Sequence, residues 1–102
     1  MKPVLRSPQA RADIEDALDY YQLEAPHVAN AFLDSLEKAV THIQRAPGTG
    51  SPRYAQELGL AGLRCWGLSK FPFSLFYIEQ AEHLWVIRGV HMSRDIPASL
   101  QG

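Results

Sequence analysis

The side chains of this chain that could do chemistry gather in its last third: Arg64, Lys70, Tyr77, Arg88, His91 and Arg94. Arginines that converge with a histidine or a tyrosine can hold a phosphate and move its protons, which is the equipment of a phosphodiester-cleaving site. Spread over a surface, the same residue types bind another protein. Side chains alternate along a strand, so Leu84, Val86, Arg88 and Val90 are expected on one face and Trp85, Ile87, Gly89 and His91 on the other. Arg88 would then sit among apolar neighbours, where its guanidinium needs a helix carboxylate or a route to water. His91, Arg94 and Asp95 cluster where the last strand should end, a position that suits a functional group.

Other chemistry finds less support. Asp13, Glu15, Asp16 and Asp19 fall on the polar side of a helical pattern and read as a solvated face, not as paired catalytic carboxylates. His27, His42, His83 and His91 lack metal-ligand spacing, so no metal site is expected. The single cysteine, Cys65, lies inside a strand pattern and reads as a buried spectator. There is no phosphate loop, nucleophile elbow or dinucleotide fingerprint, and no cofactor is implied. Trp66 and Trp85 read as packing residues.

The elements that must position these groups are plain in the pattern. Three runs rich in aromatic and branched residues, Leu63–Leu68, Phe73–Ile78 and Leu84–His91, are separated by turn residues and should pair as antiparallel neighbours. Before them, Val4-Leu5 reads as a short first strand, and Ser7-Pro8 supplies a capping hydroxyl and a first-turn proline. Ala10, Ile14, Ala17, Leu18 and Tyr21 recur at helical spacing as far as about Glu24. Pro26 opens a second helix with the stripe Val28, Ala29, Phe32, Leu33, Leu36, Ala39, Val40 and Ile43, ended by Pro47-Gly48. Two helices with so short a link form an antiparallel hairpin over residues 8–46, whose apolar face is the natural cover for the sheet. The connection 47–62 is long for a compact domain and should carry irregular structure or function. Ser93 to Leu100 reads as a tail of about one helical turn.

The expectation is one α+β domain over residues 1–102: a strand, a two-helix hairpin, and a small antiparallel sheet. With 46% hydrophobic residues the chain can build a core, and with 10 Lys+Arg against 11 Asp+Glu it has no basic field to draw it onto nucleic acid or an anionic membrane. No run approaches membrane-spanning length and the N-terminus has no secretory apolar region, so a cytoplasmic protein is expected.

Taken in order, Val4 to Ile14, Tyr20-Tyr21, Pro26…Ala29…Phe32…Leu36, Ala46-Pro47-Gly48, Gly62-Leu63-Arg64, Phe71 to Tyr77 and Val86 to Asp95 resemble the ParE branch of the ParE/RelE toxin superfamily. The resemblance implies the toxin of a type II toxin–antitoxin pair. In the ParE branch such toxins block DNA gyrase; in the RelE branch the same fold is a ribosome-dependent mRNA endonuclease. It also implies a ParD-like antitoxin with a ribbon-helix-helix start, and contact with operator DNA only through that antitoxin. A ribosome-bound nuclease needs a dense basic surface. The charge balance here favours the protein-binding inhibitor and leaves the nuclease, with His91 or Tyr77 as acid/base and Arg64 and Arg88 on the phosphate, as the alternative. On the favoured reading Arg64, Arg88, His91 and Arg94 meet the target. The antitoxin lies in a groove fed by Leu18, Tyr21, Phe32 and Leu36, and an unpaired sheet edge could accept a strand from it.

Overall fold

The computed structural model describes residues 1–92; Arg94 and the expected tail lie outside the described residues. Strand β1 spans Val4–Arg6, and the chain turns at once into helix α1, Pro8–Glu24. Ser7 makes that turn possible. Its Oγ accepts the Ala10 N–H at 2.9 Å, satisfying one of the unpaired amides of the first turn, and donates to the Ile87 carbonyl at 2.7 Å. One residue, Ala25, separates α1 from α2, Pro26–Arg45. Its own N–H closes α1 on the Tyr21 carbonyl, and Pro26 starts the next helix without needing a donor. The hairpin is therefore as short-linked as the sequence suggests.

The connection between hairpin and sheet is structured. A single 3-10 turn covers Pro47–Thr49, and a short helix α3, Ala55–Leu58, ends on left-handed Gly59 (φ 66°). Strands β2 (Leu63–Gly67), β3 (Phe73–Glu79) and β4 (Leu84–His91) follow. The sheet order is β1-β4-β3-β2. The last three strands pair antiparallel, as expected. β1 pairs parallel with β4, Val4 opposite Leu84 and Arg6 opposite Val86, so the sheet is mixed and not wholly antiparallel. A strand that leads straight into a covering hairpin reaches the sheet by a long crossover, and such crossovers allow parallel pairing.

The expected alternation along β4 is also corrected. Tyr77 pairs with Val86 and Phe76 with Arg88, so Ile87 is an extra residue and the register shifts there. Beyond it the faces exchange. Gly89 and His91 lie opposite Leu75 and Phe73 and share the helix-covered face with Leu84 and Val86, while Arg88 and Val90 lie opposite Phe76 and Ser74.

Two cores result. Ala10, Ile14 and Ala17 of α1 and Phe32, Leu36, Ala39 and Ile43 of α2 close over Phe73, Leu75, Tyr77, Leu84 and Val86. Phe32 is the keystone, with its ring 5.0 Å from Tyr21, 5.4 Å from Phe71 and 5.5 Å from Phe73. On the other face Leu63, Phe76 and Val90 are roofed by Tyr54, Ala55 and Leu58, so the 47–62 connection is a second cover. Each fully buried side chain of this size contributes about 1.5–3 kcal/mol.

Candidate functional site

The polar groups singled out in the sequence divide into two places. Arg64 and Tyr77 are cross-strand neighbours, and both turn toward the chain that leaves α2. Arg64 Nη1 donates to the Gly50 carbonyl at 2.8 Å. The Tyr77 hydroxyl donates to the Pro47 carbonyl at 2.6 Å and accepts the Gly50 N–H at 3.1 Å. Gly50 has to be glycine because any Cβ there would run into Tyr77. Burial pushes the Tyr77 phenol up from its ordinary value, and the Gly50 N–H and the Arg64 charge only partly offset it. With both hydroxyl functions occupied and no exposed surface, Tyr77 holds the 47–50 turn in place.

The second place is the end of β4 against α1. Asp13 Oδ2 accepts from Arg88 Nε at 2.7 Å and from the Gly89 N–H at 3.0 Å, while Oδ1 takes Arg88 Nη2 at 3.2 Å. The hydrogen bond to Asp13 raises the Arg88 guanidinium above its already high ordinary value, burial pulling the other way. Glu15, Asp16 and Asp19 are exposed as expected, but Asp13 is not part of that solvated face, its side chain being 18% exposed. Gly89 lies so close to the Phe73 ring that an added Cβ would stand 2.5 Å from Cζ.

Around this pair opens a cleft of about 520 Å³. Asp13, Asp16, Ala17, Tyr20 and Tyr21 form its α1 wall, and Pro72, Phe73, Gly89 and His91 the sheet wall. The His91 ring stands edge-on to Phe73 at 5.5 Å. Arg64 and Tyr77 do not line it. Among the described residues the two arginines, the tyrosine and the histidine proposed for a nuclease therefore do not share one pocket.

Two of the four residues expected to feed an antitoxin groove are buried. Phe32 is 0% and Leu36 3% exposed, both sealed in the core because the hairpin packs fully down on the sheet. Leu18 and Tyr21 are half-buried and keep some surface. The surface that sequence reasoning missed is next to them: Tyr20 is 57% and Leu23 82% exposed. Asp13 was legible in principle, since it stands three residues after Ala10 and four before Ala17, on the flank of the buried face. Gly89 within a strand was the other available sign, marking a close approach.

His42 stacks on Trp66 at 4.1 Å, and Cys65 is half-buried with its thiol pushed up by burial. No group of three or more potential metal ligands occurs among the described residues. Likewise no helix among them is long and apolar enough to cross a membrane.

Residues 4–96 match a family model described as the ParE toxin of type II toxin-antitoxin system, parDE. The fold is similar to a solved chain of a chromosomal ParDE TA system from P. aeruginosa, with TM-score 0.73 and 21% identity over 89% of this chain and 96% of that one. No curated protein matches the sequence.

Proposed function

The chain belongs to the ParE toxin family of type II toxin–antitoxin systems, and from that premise we propose that it stops growth by binding DNA gyrase and is held inactive by a ParD-like antitoxin. The antitoxin carries a ribbon-helix-helix start and contacts operator DNA, which the toxin touches only through it. Both proteins act in the cytoplasm. No bond is broken by this chain on that reading.

One observation carries the choice of binding over cleavage. Arg64 and Tyr77 are committed to the Pro47–Gly50 turn, and Arg88 is committed to Asp13. Phosphoryl transfer needs several cations and an acid or base pointing at one reacting group. Here those groups hold the scaffold, and the net charge of −1 gives no general attraction for ribosomal RNA.

The target contact falls on the C-terminal end of the sheet, where His91 is partly exposed and the chain continues toward Arg94. The antitoxin contact falls along α1, on Leu18 and Tyr21 together with the exposed Tyr20 and Leu23.

Purified protein should inhibit gyrase supercoiling in a dose-dependent way, and primer extension on transcripts from induced cells should show no codon-positioned cuts. Intact gyrase activity together with such cuts on translating ribosomes would replace this reading with the RelE-like endonuclease. Growth after expression without an antitoxin separates an active toxin from a chain that only binds its partner.

A further inference from the structure

We infer that the cleft between α1 and the end of β4 receives an arginine side chain from the partner segment that lies along α1. The inference rests on the reading that a partner protein covers this helix, and it names the chemistry by which that partner is anchored.

The cleft has one carboxylate to offer. Both oxygens of Asp13 are engaged by Arg88 and the Gly89 N–H, whereas Asp16 makes no hydrogen bond or ion pair among the described residues. Among the described residues no lysine or arginine lines the opening, and the Arg88 charge beside it is already met by Asp13. Its walls are aromatic. Tyr20 and Tyr21 stand edge to face at 5.4 Å, and the exposed Tyr20 ring offers a π-surface that attracts cations. A guanidinium suits such walls better than an ammonium. It is planar, stacks on rings, is less strongly hydrated, and can fork onto a carboxylate.

The surroundings fix what accompanies the cation. Asp16, Tyr20 and Leu23 follow one another at helical spacing, so the carboxylate is continuous with an exposed apolar strip on the same face of α1. A partner segment with an arginine in the cleft and an aliphatic side chain about one turn further along would cover both.

The probe is a blocked tetrapeptide, acetyl-Arg-Ala-Ala-Leu-amide, set against the same peptide with the uncharged isostere citrulline in place of arginine. Each is titrated into isotopically labelled protein and followed by NMR. The arginine peptide should shift the resonances of Asp16, Tyr20, Gly89 and His91 saturably, and the citrulline peptide should bind about tenfold more weakly. Asp16→Asn and Tyr20→Ala, both at exposed positions, should each weaken the arginine peptide without altering the spectrum elsewhere. Equal binding of the two peptides, shifts centred outside the cleft, or no shift at all would overturn the inference. An antitoxin titration followed on the same α1 resonances tests whether a partner covers this helix at all, so a failure of that reading and a failure of the arginine anchor read out separately.

Discussion

Asp13 and Arg88 are 75 residues apart in the chain, yet the Asp13 carboxylate holds the Arg88 guanidinium by two hydrogen bonds, at 2.7 and 3.2 Å. The same carboxylate takes the Gly89 N–H. This clasp joins the first helix to the last strand just past the point where β1 stops pairing. It replaces missing ladder bonds at the strand edge with a charged acceptor.

Asp13→Ala should therefore cost more than a surface ion pair. It takes two hydrogen bonds from a half-buried guanidinium and the acceptor from the Gly89 amide. The expected loss is about 1–3 kcal/mol, and Asp13→Asn, which keeps an acceptor but not the charge, should lose less. Urea denaturation of the two variants measures this. If Asp13→Ala unfolds at the native midpoint, the clasp contributes nothing.

Tyr77 sets a limit on alkaline stability. Its folded value is raised, chiefly by burial, so folding prefers the neutral phenol. The sign follows: this contribution is complete below the ordinary phenol value of about 10 and is lost as pH rises through the higher folded value. Tyr77→Phe should cost about 1–3 kcal/mol at neutral pH by orphaning the Pro47 carbonyl and the Gly50 N–H. It should also flatten the decline above pH 10. Thermal melts across pH 8 to 11 test both, and an equally steep alkaline decline in the variant would rule out Tyr77 as a cause.

Much of this scaffold was legible in the sequence because periodicity reports burial. The Phe32–Leu36–Ala39–Ile43 stripe placed α2, and Ser7-Pro8 placed the start of α1. What escaped were features that depend on a single residue's register. The extra Ile87 reversed the faces of Arg88, Gly89 and His91, and no local pattern announces a bulge inside an apolar run. Phe32 and Leu36 looked like groove residues for a related reason: an apolar helix face appears the same whether a sheet or a partner covers it. The role of Asp13 needed a tertiary partner, which one helix cannot reveal.

Gly89→Ala tests how tightly the cleft is built. Its Cβ would stand 2.5 Å from Phe73 Cζ and 2.8 Å from Cε1, with Phe73 itself 1% exposed and unable to swing away freely. The expected cost is about 1–3 kcal/mol. Phe73→Leu in the same chain should recover part of it, so the two substitutions together should cost less than their sum. Calorimetric Tm values for the single and double variants check this. Strict additivity would mean the two residues do not press on each other.

The β2 edge carries the last expectation, because the sequence suggested an open edge that could accept a strand. In the fold Ser51 occupies it: the Ser51 N–H donates to the Cys65 carbonyl at 2.8 Å, and the Cys65 N–H donates back at 2.9 Å. Leu63 is likewise turned onto the Leu60 carbonyl. An edge stopped in this way is a poor template for pairing with other chains. Ser51→Pro removes one donor, and the preceding Gly50, at φ −64° and ψ 152°, already has the backbone that a following proline requires. The variant should lose about 1 kcal/mol and leave the Cys65 carbonyl open at the edge. Sedimentation at matched concentrations should then give it a larger average mass than the native chain. Unchanged sedimentation in a destabilised variant would mean that Ser51 stabilises the fold without guarding the edge.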